Sequence, residues 1–580
     1  MDKGWRDEIS KSFGHAVASD DALLAECISM CQLYNLNPED LFYKVEAFNY
    51  RPSATHSGIA PITLETLGAL KAQIQRDMTK DSTKRAQTKP KPGNTAQVDR
   101  RRIPQNMVRN LPPTSIKQEA TGETGVPGLS HLVFRGPSYD AEKKKSRAYH
   151  YMYEKILERS EALDQLIEDF ADLIQNHYSI PEFADPSSAT VDEVTIIGRL
   201  TQDSESTSAK LTESTLTIES SRAVSNGARV PLRLDSALRI RGSAHGAGGI
   251  GLFPGAIVAL KGKNGGGGYF LATEVLSIPP LKASPASCGV LDPKQDPEMG
   301  NEPVSICVVC GPYTSDTDLN FKPWRTLLPI LNATKPNVLL LVGPFIDSSH
   351  AKIKAGDSDL SAANIFKGRI ADSLRAFLAA SSESIVLVVP SVRDLVSTHA
   401  VFPQPELDWD LFPADPRINL LPNPTRFSIN DISFAVSSVD ALFHLRTQEY
   451  TKRGVEVEAL PPSEGDVPSD AMANLCRHLL QQRSFYPLFP VPADSSHEVN
   501  LDVTHSDAIS MIDDGDLDYA PDILILPSRL KQFTKTVHTT AAINPSFLSK
   551  GSYATIDIAG RTSMGKLNER LTVKIVKLEG

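Results

Sequence analysis

The sequence predicts a multidomain chain whose largest part is an α/β domain, preceded by a small all-α amino-terminal domain, a disordered linker and a small β-barrel. Three observations predict the α/β part. Val338 to Val342 is an unbroken apolar run ending in Gly343-Pro344, the pattern of a central strand covered on both faces. Similar runs recur at Val304 to Val309, Ser384 to Val389 and Pro521 to Leu526, ending in Cys310-Gly311-Pro312, Pro390-Ser391 and Pro527-Ser528. Between the second and third runs lies Ala362 to Ala380, whose Ile365, Ile370, Leu374, Phe377 and Leu378 keep roughly helical spacing and so give βαβ order. The four runs are expected to be neighbouring strands of one sheet. In such sheets ligands are held beyond the carboxyl ends of the strands.

Composition bounds the rest. A chain of 580 residues makes about two to four domains at roughly 100–200 residues each. Its 41% hydrophobic content supplies buried cores, and a net charge of −10 argues against a surface built throughout to grip phosphate backbones. Six cysteines, Cys27, Cys31, Cys288, Cys307, Cys310 and Cys476, fit a reducing compartment better than a disulfide scaffold. The start Met1-Asp2-Lys3-Gly4-Trp5-Arg6 has no signal-peptide core, and no run reaches the ~18 apolar residues of a membrane span. The expectation is a soluble intracellular protein with no membrane partner.

Residues 1–76 read as the helical domain. Asp20-Asp21 can cap a helix carrying Leu23, Leu24, Cys27, Ile28 and Cys31, a second helix can begin at Pro38, and Thr63 to Gln75 supplies a third. Cys27 and Cys31 are one helical turn apart, but with no second pair of ligands nearby core packing is the better reading than a metal pair. Residues 77–147 form the linker, poor in large apolar groups and with 15 Lys+Arg against 7 Asp+Glu; such a segment cannot bury enough surface to fold. Its clusters at Arg100-Arg101-Arg102 and Lys143-Lys144-Lys145-Ser146-Arg147 suit a solvated tether or nuclear import. Residues 148–185 hold an amphipathic helix over Ala148 to Asn176, with an apolar stripe from Tyr149, Met152, Tyr153 and Ile156 through Ile174, expected to pack on the barrel.

Residues 186–283 contain five short β-rich runs, at Val194 to Gly198, Leu216 to Ile218, Val230 to Leu234, Ala256 to Lys261 and Tyr269 to Ile278, with the glycine-rich turn Asn264 to Gly268 between the last two. This suits a barrel of the oligonucleotide-binding (OB) type. It offers Arg229, Arg233, Arg239, Arg241, Lys261 and Lys263, but its only aromatics are Phe253, Tyr269 and Phe270, and the last two alternate across a strand. Protein binding is therefore the better reading than strand binding. Ile278 to Pro303 holds six prolines and is expected to run as an extended connector. Residues 284–580 form the α/β domain.

Several motifs mislead. Gly246, Gly248 and Gly251 satisfy Gly-x-Gly-x-x-Gly, but no helix follows to meet a pyrophosphate. Cys307 and Cys310 have Cys-x-x-Cys spacing, yet residues three apart on a strand face opposite ways. His350, His399, His444, His478, His505 and His538 lack a ligand context and read as surface or core residues. Asp408 to Asp415 and Asp513 to Asp518 are acidic stretches, and the second lacks the downstream Glu of a calcium loop, so it reads as a solvated loop.

The strand ends carry a resemblance. From about Val304 onward the chain resembles the calcineurin-type phosphoesterase fold in the degenerate form of the B subunits of eukaryotic replicative DNA polymerases. Active relatives place Asp-x-His, Gly-Asp-x-x-Asp, Gly-Asn-His-Asp and Gly-His-x-His at successive strand ends. Here these become Cys310-Gly311-Pro312, Gly343-Pro344-Phe345-Ile346-Asp347, Ser391-Val392-Arg393-Asp394 and Leu526-Pro527-Ser528-Arg529. Proline offers a metal no donor atom, and arginine is a fixed cation that repels one. Gly311 to Thr314, Gly343 to Asp347 and Leu252 to Gly255 are most similar to the B subunit of DNA polymerase alpha–primase.

The resemblance implies an α/β calcineurin-like phosphoesterase domain lacking its metal ligands, with no catalytic, cofactor-binding or metal-binding residue and no cofactor. It further implies a nuclear regulatory subunit that holds the catalytic subunit of DNA polymerase alpha through that subunit's C-terminal domain. Primase subunits would be reached indirectly, replication factors through the amino-terminal domain, and DNA only weakly or through the complex. The alternatives are an active metallophosphoesterase or nuclease with rearranged ligands, and a single-strand-binding OB protein.

Overall fold

In the computed structural model the described residues are 9, 13, 20–34, 37–49, 66–67, 70–71, 132–137, 149, 153–202, 210–266, 268–289, 302–513, 517–560 and 566–578. They belong to two compact units, Met1–Arg101 and Arg102–Gly580.

In the first unit, Asp20 accepts the backbone N–H groups of Ala22 (3.0 Å) and Leu23 (3.3 Å) and starts the helix Asp21–Tyr34; the helix Pro38–Asn49 follows. Leu24, Cys27, Met30 and Cys31 meet Leu41, Val45, Leu67 and Leu70 in one apolar cluster. Burial pushes the Cys27 thiol up to about 12, as expected for a packed core cysteine.

The second unit contains a closed barrel. Its strands run Arg229–Arg241, Leu216–Glu219, Val194–Gln202, Ile257–Lys263 and Phe270–Leu276, and parallel pairing of Leu232–Leu234 and Arg239–Arg241 with the last strand closes it. The helix Ile156–Tyr178 buries Ile167, Phe170, Ala171 and Ile174 against Ile197, Ile257, Ala259 and Leu276 of the barrel.

The α/β part is a sandwich of two six-stranded sheets. The first runs Ile418–Leu420, Ile385–Val389, Val338–Val342, Val304–Cys310, Ser552–Ile558 and Leu571–Lys577. The second runs Phe134–Arg135, Thr425–Ile429, Ile432–Val436, Ile523–Ile525, Thr540–Asn544 and Phe533–Val537. Alternate residues of Val338–Val342 serve two cores: Val338, Leu340 and Val342 point between the sheets, while Leu339 and Leu341 meet the helices Lys322–Thr334 and Asp372–Ala380 outside. Cys307 and Cys310 likewise fall in different cores. The outer face of the second sheet, with Leu524 and Ala542, joins Leu445 and Leu475 of the helices Ala441–Gln448 and Ala471–Gln481. The same cluster continues into the barrel through Leu200, Ile218, Phe253 and Phe270.

Several expectations are corrected. Ile523–Ile525 lies in the second sheet, not beside Val338–Val342; an apolar run records burial on two faces but not which strand lies alongside. The amphipathic helix starts at Ile156 rather than Ala148, because Glu158 accepts the Lys155 N–H (3.0 Å) in a capping box. Tyr149 is spent on a tertiary contact, its ring 3.8 Å from that of His505 and its hydroxyl donating to Pro403 O (2.8 Å). Tyr153 and Ile156, read as part of the stripe, are 81% and 90% exposed.

Within the expected linker, residues 132–137 are folded onto the sandwich. Phe134–Arg135 pairs with Thr425–Ile429, Val133 exchanges hydrogen bonds with Asn430, and the Phe134 ring lies 5.9 Å from that of Phe427. Its average composition hid the apolar triplet Leu132-Val133-Phe134. The connector is not wholly extended, since Ser284 caps a short helix Pro285–Cys288, and residues 290–301 lie outside the described residues. The acidic stretch at 513 is flanked by a paired ribbon, Met511–Asp513 with Leu517–Tyr519. Nor is the barrel confined to residues 186–283: Tyr450–Arg453 pairs with Gly249–Leu252, and Val455–Val457 extends the barrel sheet.

Two outcomes follow from this packing. A chain beginning at residue 138 should unfold with about 2 kcal/mol less stability than one beginning at 131, by urea titration, because the second sheet loses an edge strand and the Phe134 contact. Gly255 sits at φ +98°, and a Cβ there would run into the backbone of Pro487 and Phe489. Gly255→Ala should therefore cost about 3 kcal/mol and lower the single cooperative transition of barrel and sandwich together.

Candidate functional site

The carboxyl ends of the parallel strands converge as expected, but the side chains there are engaged with one another. Gly343 packs so closely on Asp394 and Ser391 that a Cβ would collide with both, and a Cβ on Gly311 would collide with Pro344. Tyr313 and Phe345, which follow the two Gly-Pro turns, stack at 5.0 Å, and the Tyr313 hydroxyl donates to Val309 O and Val342 O (both 3.1 Å). Those aromatics plug the end of the first sheet beneath the loops.

Each carboxylate retained from the phosphoesterase pattern has an internal partner. Asp394 Oδ1 accepts the backbone N–H groups of Phe345 and Ile346, and its Oδ2 accepts that of Ser391 (2.9 Å). Burial pushes its carboxyl up to about 7, against the pull of those three donors. Asp347 is gripped by the Arg393 guanidinium in a two-pronged pair and also accepts the Ser349 N–H (2.8 Å). Arg393 thus commits its positive charge to the Gly343–Asp347 loop.

At the fourth strand end Arg529 bonds Asp440 through both its backbone N–H (2.8 Å) and Nε (3.2 Å), and pairs with Glu498. Glu498 also faces buried His444 (3.2 Å), whose other ring nitrogen meets the Tyr486 hydroxyl (2.9 Å). His444 and Arg529 hold the Glu498 carboxyl well below the usual carboxylate range. Asp440 is recognisable in sequence as the cap of the helix Ala441–Gln448. Nothing in sequence marks Glu498, since its partners come from positions 444 and 529.

The remaining histidines have local duties. His350 meets Ser315 O (2.9 Å), His478 meets Glu449 (2.8 Å), His505 meets Asp502 (3.1 Å), and His399 lies against the Tyr149 ring (4.9 Å). His538 lies beside Arg477 (3.3 Å), and burial lowers it to about 4. Among the described residues no three His, Cys, Asp or Glu are grouped to hold a metal ion.

The barrel's cations are largely neutralised. Arg229 pairs with Glu219 (3.5 Å), Arg239 with Glu274 (3.0 Å), Lys261 with Glu193 (3.9 Å), and Arg241 with both Glu274 and Glu458. Phe253 and Phe270 are buried, and the face of Tyr269 is covered by Arg233 at 4.0 Å. The nearby open cleft of about 480 Å³ includes Glu213 and Asp235 in its lining, which suits a phosphate backbone poorly. The Gly-x-Gly-x-x-Gly loop does cradle an anion, but one from the chain itself: the Glu456 carboxylate accepts from Gly246 N (3.0 Å) and Gly248 N (2.8 Å).

Comparisons with known proteins fit this two-part architecture. Residues 160–278 match the family model for the OB domain of the DNA polymerase alpha B subunit, and residues 306–535 match the model for the B subunit of DNA polymerases alpha and epsilon. The DNA polymerase alpha B subunit of Schizosaccharomyces pombe is 28% identical over 572 residues, 92% of each chain. The protein of the same name from Saccharomyces cerevisiae is 30% identical over 73% of this chain and 61% of its own, and that of Bos taurus 30% identical over 72% and 61%. With both models matched in succession and a relative aligned along nearly its whole length, this chain belongs to the family of DNA polymerase alpha B subunits.

Proposed function

We propose that this chain is a non-catalytic scaffold of the nuclear DNA polymerase alpha–primase assembly, and that its barrel and phosphoesterase-like sandwich act as one body holding the C-terminal domain of the catalytic subunit. The observation that carries the reading is the fate of the strand-end loops. The positions that would bind and activate a metal-bound water instead carry proline, arginine and carboxylates already committed to internal partners. A continuous apolar core joining barrel and sandwich supports the rigid-body part of the reading. The amino-terminal helices would reach replication factors, and the primase subunits would be held through the catalytic subunit.

Purified protein should hydrolyse no generic phosphodiester when manganese is added, and Pro344→Asp should not restore turnover, because one carboxylate cannot assemble a site beside Arg393 and Arg529. Activity that follows the protein through a further column and disappears with a chelator would instead establish the metallohydrolase alternative. Residues 132–580 should retain the catalytic subunit in co-purification at about 0.5 M salt, where surface charge is screened and apolar burial persists. Retention by residues 1–131 alone would reverse the roles assigned to the two parts.

A further inference from the structure

The chain carries 70 acidic against 60 basic residues, and many described surface cations are ion-paired. A small group on the outer helical layer of the sandwich is not. Lys322 and Arg325 lie one turn apart on the exposed side of the helix Lys322–Thr334. Lys367 and Arg369 lie exposed on the π-helical turn Lys367–Ala371 that interrupts the helix between Ala362 and Ala380. The two elements are tied by the Trp324 indole N–H, which donates to Arg369 O (3.1 Å), so the exposed cations of both belong to the same outer layer. None of the four has a side-chain hydrogen bond or ion pair among the described residues. The neighbouring Asp372 is taken by Arg375 (2.9 Å), and Asp318 accepts the Asn320 N–H (2.7 Å).

We propose that this face docks the phosphate backbone of a nucleic-acid duplex. Two further features favour an anion there. The helix Lys322–Thr334 has no side-chain cap, so its positive end adds to the field of the cations. Gly368, between Lys367 and Arg369, has open space where a side chain would stand, which lets a backbone approach closely. The face also lacks what other polyanions would use. Trp324 and Ile370 are buried, so it offers neither a ring for unstacked bases nor an apolar anchor for an acidic peptide. What remains is sequence-independent charge contact, the mode suited to a duplex backbone. The choice of a duplex rests on the replication role inferred above.

Fluorescence anisotropy of the full chain with a labelled DNA duplex, across a salt series, tests the proposal. Lys322→Glu with Arg325→Glu, and Lys367→Glu with Arg369→Glu, should each weaken binding about tenfold at low salt and flatten the dependence of log K on log salt by about two. Lys574→Glu with Lys577→Glu makes the same charge change on the edge strand Leu571–Lys577 and should leave both quantities near wild type. Equal effects in all three variants, or none in the first two, would overturn the proposal. So would displacement of the duplex by polyglutamate at equal charge. Co-purification of the catalytic subunit is read in parallel: retention by the patch variants supports a separate duplex site, and its loss would make the patch that subunit's interface and overturn the proposal. If wild-type protein fails to retain the subunit, the scaffold reading fails while the anisotropy still decides the duplex site.

Discussion

The structure depends on one apolar core shared by two domains. Leu252-Phe253-Pro254-Gly255 turns at the edge of the barrel, where Phe489 N donates to Pro254 O (3.1 Å) and the glycine leaves room for the backbone of Pro487 to Phe489. Phe253 and Leu488 are buried in the cluster that reaches Leu445, Leu475 and Leu524 of the sandwich. Neither domain could withdraw without exposing that surface to water, at about 25 cal/mol for each Å². The strand Tyr450–Arg453, paired with Gly249–Leu252, adds backbone hydrogen bonds across the same boundary. Barrel and sandwich therefore share one continuous apolar core within the same compact unit.

The loops at the strand ends obey a second constraint. The strand-end loops bring several carboxylates into the fold, and their burial is balanced by partners from the chain itself. Arg393 balances Asp347, Arg529 balances Asp440 and Glu498, and three backbone N–H groups satisfy Asp394. Removing one member of such a set leaves its partner without the compensating contact. Glu456 in the amides of Gly246 and Gly248 follows the same logic, since a cradle for an external anion instead fastens the segment that extends the barrel sheet.

The sequence by itself determined the elements whose signal is local. The doubly buried run Val338–Val342, the helical spacing from Ala362 to Ala380, the five barrel runs and the cap at Asp20 all follow from side-chain periodicity and backbone chemistry within a few residues. Arg393 and Arg529 were legible only as cations at the ends of apolar runs, and their partners, Asp347 for the first and Asp440 with Glu498 for the second, were not. Only the tertiary structure decided the rest. It assigned Ile523–Ile525 to the second sheet, placed Phe134–Arg135 on that sheet's far edge, set Tyr149 against His505 and brought Glu498 to Arg529. Each of those outcomes joins residues far apart in the chain. Local composition carries no record of a partner that distant, and only the balance of burial, pairing and charge in the folded state selects it.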